Sequence, residues 1–205
     1  MQGSPPSWLE EWSRAPCARA EAFRRFDTLG AIEPEQMAGR WRGSGCPTGH
    51  PLDGVLERLG WYGKAFEPPD RAYPLLFATP SGGLVAIDPA FLPVRLPLHW
   101  PALARSAAAR IGFAAVRPLL ATTRPAATLR RVRYRGVVST AMAYDRKPIV
   151  DHFRAISADT ILGVMEVPRQ PPYFFRLVRE RPAARRTGAE PAEKVDHDRW
   201  GRKER

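Results

Sequence analysis

Gly39-Arg40-Trp41-Arg42-Gly43 and Gly60-Trp61-Tyr62-Gly63-Lys64 are the two stretches whose reading decides the fold. Between them lies Cys46-Pro47-Thr48-Gly49-His50-Pro51. Glycine is used where a backbone must turn or approach something closely. Tryptophan is the widest side chain available. Their pairing twice within so short a span predicts a wide ring plugging a curved sheet.

Outward from these blocks the patterning is mixed. Trp8, Leu9, Trp12, Ala15, Ala22, Phe23 and Phe26 recur at helical spacing, with Pro16 set to kink or split the helix. Glu33-Pro34-Glu35-Gln36-Met37 reads as one helical turn with proline in its first turn. Trp41 opens the first strand, and Leu52 to Leu59 has one apolar helical face. Two apolar runs, 73–79 and 84–87, flank Pro80-Ser81-Gly82-Gly83 and predict a hairpin. Residues 90–127 are rich in Pro and Ala, with a helix expected over 102–116. Four strands then follow over 131–144, 149–156, 160–167 and 173–178. Short strands at this spacing predict an antiparallel sheet closing into a barrel.

The motif strings resemble the family named after Gly-x-Trp-x-Gly, on Phe26-Asp27, Met37 to Gly43, Thr48 to Pro51, Gly60 to Phe66 and Pro74-Leu75. Leu129 to Arg179 resembles the domain of unknown function 4334 on Tyr134-Arg135-Gly136, Tyr144-Asp145, Lys147-Pro148-Ile149, Asp151 to Arg154, Gly163-Val164-Met165 and Tyr173-Phe174-Phe175. The whole is similar to the calycin group of lipocalins and fatty-acid-binding proteins. That resemblance implies a mainly β (α+β) chain: a calycin-like antiparallel β-barrel with an N-terminal helix and a helical, Pro-rich insertion. It also implies that Trp41 closes one end, with Arg176 or Arg179 as a covering cation. The expected organisation is an N-terminal helix (1–26), a first domain (27–90), a connector (91–128), a β-meander (129–180) and a disordered basic tail (181–205).

Composition narrows the setting. With 205 residues and 44% hydrophobic content the chain can bury a real core. No run of about 18 apolar residues is present for a membrane span, and no basic-then-apolar leader opens the chain. Two cysteines make neither a disulfide scaffold nor a metal site, so a cytoplasmic setting is expected. The net charge is +11, yet of 32 basic residues only Lys64, Lys147, Lys194 and Lys203 are lysines. Such Arg bias accompanies a GC-rich genome and selects no partner, so nucleic acid is not the expected ligand. The run Arg124, Arg130, Arg131, Arg133, Arg135 reads as a solvated strand face or as an anion-binding surface.

Among residues that could carry chemistry, Lys64 stands out because codon bias would have supplied Arg wherever any cation served. It is read either as a buried cation facing a ligand oxygen or as an ion-pair partner of Asp88 or Glu57. His50, fixed between glycine and proline, either points into a cavity or holds its own turn. Asp151 shares the inward phase of Phe153 and needs a partner there, with Lys64, Arg135 or a ligand group available. Asp145 reads as a turn residue. His50, His99, His152 and His197 show no metal-ligand spacing, and no Walker loop or Gly-x-Ser-x-Gly elbow occurs.

The leading expectation is a binding protein for a small apolar molecule with an acidic or carbonyl group. Its ligand contacts would be Trp41, His50, Trp61, Tyr62, Lys64, Arg135, Tyr144, Asp151 and Phe153, with Phe66, Phe77 and Met142 in the wall. A second reading is a cofactor-independent isomerase, cyclase or hydratase, with His50 or Asp151 as base and Lys64 as electrophile. A third follows from similarity of Gly39 to Gly45 to the opening motif of nitrobindins, which bind haem through a histidine. The composition leaves the oligomeric state open.

Overall fold

Local chemistry sets the first elements of this computed structural model, which describes residues 6–79, 82–93 and 98–181. The N-terminal amphipathic stretch is split at Pro16 into α1 (Ser7–Arg14) and α2 (Arg19–Asp27). A 3-10 turn over Pro34–Met37 follows, closed by a capping box between Glu33 and Gln36. The strands β1 (Gly39–Gly45), β2 (Trp61–Glu67), β3 (Arg71–Ala78) and β4 (Leu84–Ala86) come next, with the short helix α3 (Val55–Arg58) between β1 and β2. An inserted segment carries α4 (Pro101–Ala104) and α5 (Ala107–Val116), the second capped by the Ser106 hydroxyl. Then come β5 (Ala127–Tyr134), β6 (Val137–Tyr144), β7 (Val150–Ser157), β8 (Thr160–Glu166) and β9 (Tyr173–Arg179).

Every strand pairing is antiparallel, in the order β2-β1-β9-β8-β7-β6-β5-β3-β4 with β2 also paired to β3. The result is a closed eight-stranded barrel with β4 hung on the outer end of β3. The closing seam is narrow. β3 and β5 share only the register pairs Arg71↔Thr128 and Ala72↔Ala127. Beyond them β3 turns to β4, and the inserted segment returns over the opening.

Two findings correct the sequence reading. Residues 61–67 form a strand that the reading above does not assign. In β2, Trp61 and Lys64 both line the interior although they are three residues apart, which breaks the alternation of a strand. The register shift at Gly63 permits it. Gly63 has φ +148°, and a Cβ there would lie 2.0 Å from the Trp41 carbonyl oxygen. Residues 131–144 are likewise not one strand. They turn at Arg135 (φ 47°) and Gly136 (φ 83°), giving a two-residue hairpin of the twisted kind.

Two apolar layers hold the fold. The barrel interior includes Trp41, Phe66, Phe77, Met142, Phe153 and Phe175. A second cluster outside the barrel packs Trp12, Ala22 and Phe26 of the helices on Leu162, Val164 and Phe174. Arg154 is buried in this outer layer, its guanidinium 4.9 Å from the Phe26 ring. His152 lies there too, stacked 3.8 Å from Tyr134. Arg131 pairs with Glu33 at 3.1 Å, so the basic run on β5 is an outward face in part neutralised by its neighbours. Of the expected turn over 80–83, residues 80–81 lie outside the described residues, as does the expected tail over 181–205 beyond its first residue.

Candidate functional site

Trp41 closes one end of the barrel. It is fully buried, donates its indole N–H to the Met37 carbonyl at 2.7 Å, and lies under the Arg179 guanidinium at 4.2 Å. Arg179 is its direct register partner on β9 and also donates to the Ala38 carbonyl at 2.6 Å and to the Gln36 carbonyl. Of the two candidates for covering cation the structure selects Arg179. Arg176 instead donates to the Ser44 hydroxyl at 2.8 Å. Trp41 is thus a plug and not a wall of the cavity, which corrects its place among the expected ligand contacts.

Above this plug an ion pair crosses the barrel. Lys64 Nζ lies 2.9 Å from Asp151 Oδ2, and both side chains are almost wholly buried. β2 and β7 are four strands apart whichever way round the barrel one counts. The pair therefore joins opposite walls through the interior. Lys64 also donates to the Pro74 carbonyl at 3.0 Å and to the Tyr144 hydroxyl oxygen at 3.3 Å. The Tyr144 hydroxyl lies 3.4 Å from Asp151 Oδ2. Around the ammonium stand the rings of Phe175, Tyr144 and Trp61, with centroids at 5.0, 5.7 and 5.8 Å. Burial pushes the Asp151 carboxyl upward, and Lys64 opposes that shift. Burial, followed by the nearby Asp151 charge, pushes the Tyr144 phenol well up. Asp151 Oδ1 has no hydrogen-bond partner among the described residues.

On the mouth side of the pair lies a cavity of about 570 Å³. Its size falls within the range of small-molecule sites, roughly 300–1,000 Å³. Barrel side chains such as Trp61, Leu75, Phe77 and Phe175 form the lower wall. Leu92, Phe113 and Leu120 of the inserted segment form the roof. Among the described lining residues, nitrogen or oxygen side-chain atoms belong to Lys64, Tyr144, Tyr173 and Trp61 alone, and the Trp61 indole N–H is already donated to the Gly63 carbonyl at 2.9 Å. The Tyr173 hydroxyl is buried and also has no partner among the described residues. Trp61 reaches its position because Gly43 leaves room: a Cβ there would sit 2.2 Å from the indole edge.

The expected contacts therefore divide. Trp61, Lys64 and Tyr144 line the cavity together. Asp151 stands behind Lys64 and Tyr144 and is not among the lining residues. Phe153 points inward but is core, packed edge-on to Phe66 at 5.6 Å. Three further expectations are corrected. Tyr62 is on the outer face, with the Arg42 guanidinium 5.2 Å over its ring, because the bulge at Gly63 turns it outward. Arg135 sits in the β5–β6 turn and grips Asp27 of α2 with two 2.7 Å bonds. His50 faces its own loop. Its Nδ1 accepts from the Leu52 amide at 3.0 Å and its Nε2 donates to the Pro171 carbonyl at 3.0 Å. Burial holds its pKa below the ordinary histidine range. Neither Asp88 nor Glu57 pairs with Lys64: Asp88 pairs with Arg146, and Glu57 accepts from the Gly45 amide at 2.6 Å. Asp145 pairs with Arg71 at 2.9 Å and accepts from Thr128 at 2.8 Å, holding the closing seam. The sequence reading missed the roof residues, whose signal is confined to the apolar positions 92, 113 and 120 within an Ala-rich stretch.

The fold and its interior define a class: closed antiparallel β-barrels with one plugged end and an internal apolar cavity at the other. The chain belongs to the GXWXG family. It matches the GXWXG protein family over residues 24–82 and the domain of unknown function DUF4334 over residues 125–179. It is similar to a solved protein from Thermomonospora curvata, with 32% sequence identity and a TM-score of 0.59, over 81% of this chain and 90% of that one. No curated protein matches it. Among the described residues, no helix is long and apolar enough to cross a membrane, and no group of three or more His, Cys, Asp or Glu side chains is placed to hold a metal ion.

Proposed function

We propose that this protein binds a small, largely apolar molecule in the barrel cavity and holds one neutral oxygen of it, a carbonyl or hydroxyl, against Lys64 and Tyr144. The observation that carries the reading is the compensated charge at the cavity floor. Lys64 is the one lining residue that carries a full charge, among those described, and Asp151 at 2.9 Å already balances it. A carboxylate entering this apolar space would bring an unbalanced charge, which is costly to bury. A carbonyl or hydroxyl would bring only a dipole. The Tyr144 hydroxyl donates to Asp151 Oδ2 only at 3.4 Å, a long bond that a nearer ligand acceptor would displace. This narrows the acidic-or-carbonyl expectation to its neutral half.

The catalytic alternative needs a base facing the ligand. Asp151 is screened by Lys64 and Tyr144, and His50 is committed to its loop. The haem alternative needs an axial histidine, and the described lining residues include none.

Titration of the tryptophan fluorescence with three probes of equal chain length tests the reading: 2-dodecanone, 1-dodecanol and laurate, at pH 8. The ketone and the alcohol should bind at least about tenfold more tightly than laurate, the equivalent of ~1.4 kcal/mol. Asp151→Asn, which leaves Lys64 uncompensated, should reverse that preference toward laurate. Tighter binding of laurate, or no saturable binding by any probe, would overturn the proposal.

A further inference from the structure

From the structure we infer that the outer side of the inserted segment docks on anionic lipid bilayers, placing the cavity roof against the membrane. Exposed large apolar side chains are rare on this surface and gather here. Seven are exposed among the described residues, and six of them lie between Phe91 and Leu119. Leu119 is 85% exposed, Ile111 65% and Trp100 61%, and none of these three lines the cavity, whereas the exposed Phe91 and Val116 stand at its mouth. The same segment supplies Leu92, Phe113 and Leu120 to the roof. On α5 the roof side carries Ala109 and Phe113, while Ile111 and Arg110 project from the other side, as helical spacing requires. The segment thus has one apolar side turned to the cavity and a second turned to solvent. A surface that keeps such side chains in water is more often an interaction site than a passive one.

Charge selects the occupant. From Pro89 to Tyr144 the sequence holds no Asp or Glu, yet Arg105, Arg110, Arg117 and Arg124 fall in or beside the segment. None of these four forms a salt bridge in the described structure. Arg105 and Arg117 instead donate to neutral backbone carbonyls, so their charge stays uncompensated. A second copy of this chain would bring the same four cations against these four, with no acid to pair them. A bilayer bearing anionic headgroups meets both requirements, since arginines find phosphates and exposed Trp, Leu and Ile find the acyl boundary. The occupant is a lipid surface of negative charge.

The test is co-sedimentation of the full chain with large vesicles of 30% phosphatidylglycerol in phosphatidylcholine, against vesicles of phosphatidylcholine alone. Binding should be confined to the anionic vesicles. Trp100→Ser with Ile111→Ser and Leu119→Ser should weaken it by roughly tenfold or more, as should Arg110→Glu with Arg124→Glu. Quenching of tryptophan fluorescence in the unaltered protein by bromine-labelled lipids should accompany binding, a readout that depends on no substitution. Absence of binding to anionic vesicles overturns the inference. So does binding that both variants leave unchanged, which would belong to the basic residues after 181. A dimer that the apolar variant dissolves, without vesicle binding, would also overturn it and make this face a self-association surface.

Discussion

Replacing Lys64 by methionine keeps most of the side-chain volume and removes the charge at one end of the cross-barrel pair. Asp151 is fully buried, and its Oδ2 would lose the ammonium at 2.9 Å, leaving only the long contact to the Tyr144 hydroxyl at 3.4 Å. Breaking a buried pair from one side costs about 3–5 kcal/mol. A domain of this size loses about 2–4 °C in melting temperature per kcal/mol, so the shift should be about 6–20 °C. Removing both charges has the opposite logic. Lys64→Met with Asp151→Leu leaves an apolar interior without a stranded carboxylate and should recover most of the loss. The sign with pH is fixed as well. Burial raises the Asp151 pKa in the folded protein, so the folded state binds the extra proton between the ordinary aspartate value and the raised one. Stability from this group is fully present below the unfolded value and is lost as pH rises through the folded one. Without Lys64 that window extends upward, so the deficit of the single variant should shrink as pH is lowered. Denaturant unfolding of wild type, both single variants and the double variant at pH 5 and pH 8 measures all of this. A Lys64→Met variant within about 1 kcal/mol of wild type, or a double variant worse than either single one, would refute the argument.

Two other residues give sharp outcomes. Trp41→Ala should cost about 3–5 kcal/mol, read as a large drop in melting temperature, because a fully buried plug leaves a void under Arg179. His50 is held neutral by burial, so its contribution is present above the ordinary histidine value and is lost as pH falls through its lowered pKa. Stability should decline below about pH 6.5. His50→Gln should flatten that decline while leaving 2-dodecanone affinity within about twofold, since the ring faces Pro171 and not the cavity.

The parts of this molecule that were legible in the sequence are those in which residue choice departs from its background. Trp41 between glycines announces a plug, and its cation belongs to a late strand. Lys64 is a lysine where arginine is the habit, and Asp151 shares the phase of Phe153; the two meet across the barrel. What was not legible arises where one residue breaks a period. The bulge at Gly63 puts Trp61 and Lys64 on one side and sends Tyr62 outward, so no alternation marks β2. Arg135 adopts a positive φ at a hairpin position where Asn, Asp or Gly is usual, so its turn resembles strand. The roof is hidden for another reason. Alanine and proline report that the segment is helical and interrupted, but not which side of it meets the barrel.

The narrow β3–β5 seam has a consequence for how the molecule is put together. Strands β1 to β4 come from one continuous stretch of chain and β5 to β9 from another, and the two family matches fall on these stretches separately. The strands of the two stretches pair along two edges only: five residue pairs between β1 and β9, and two between β3 and β5. The molecule is thus a pair of curved shells, firmly fastened along one edge and latched along the other. The inserted segment spans the latched edge. Two separately made shells, parted within that segment, should find each other through the β1–β9 edge and rebuild the plugged end first. The latched edge would then be the last part of the wall to form and the first to come undone.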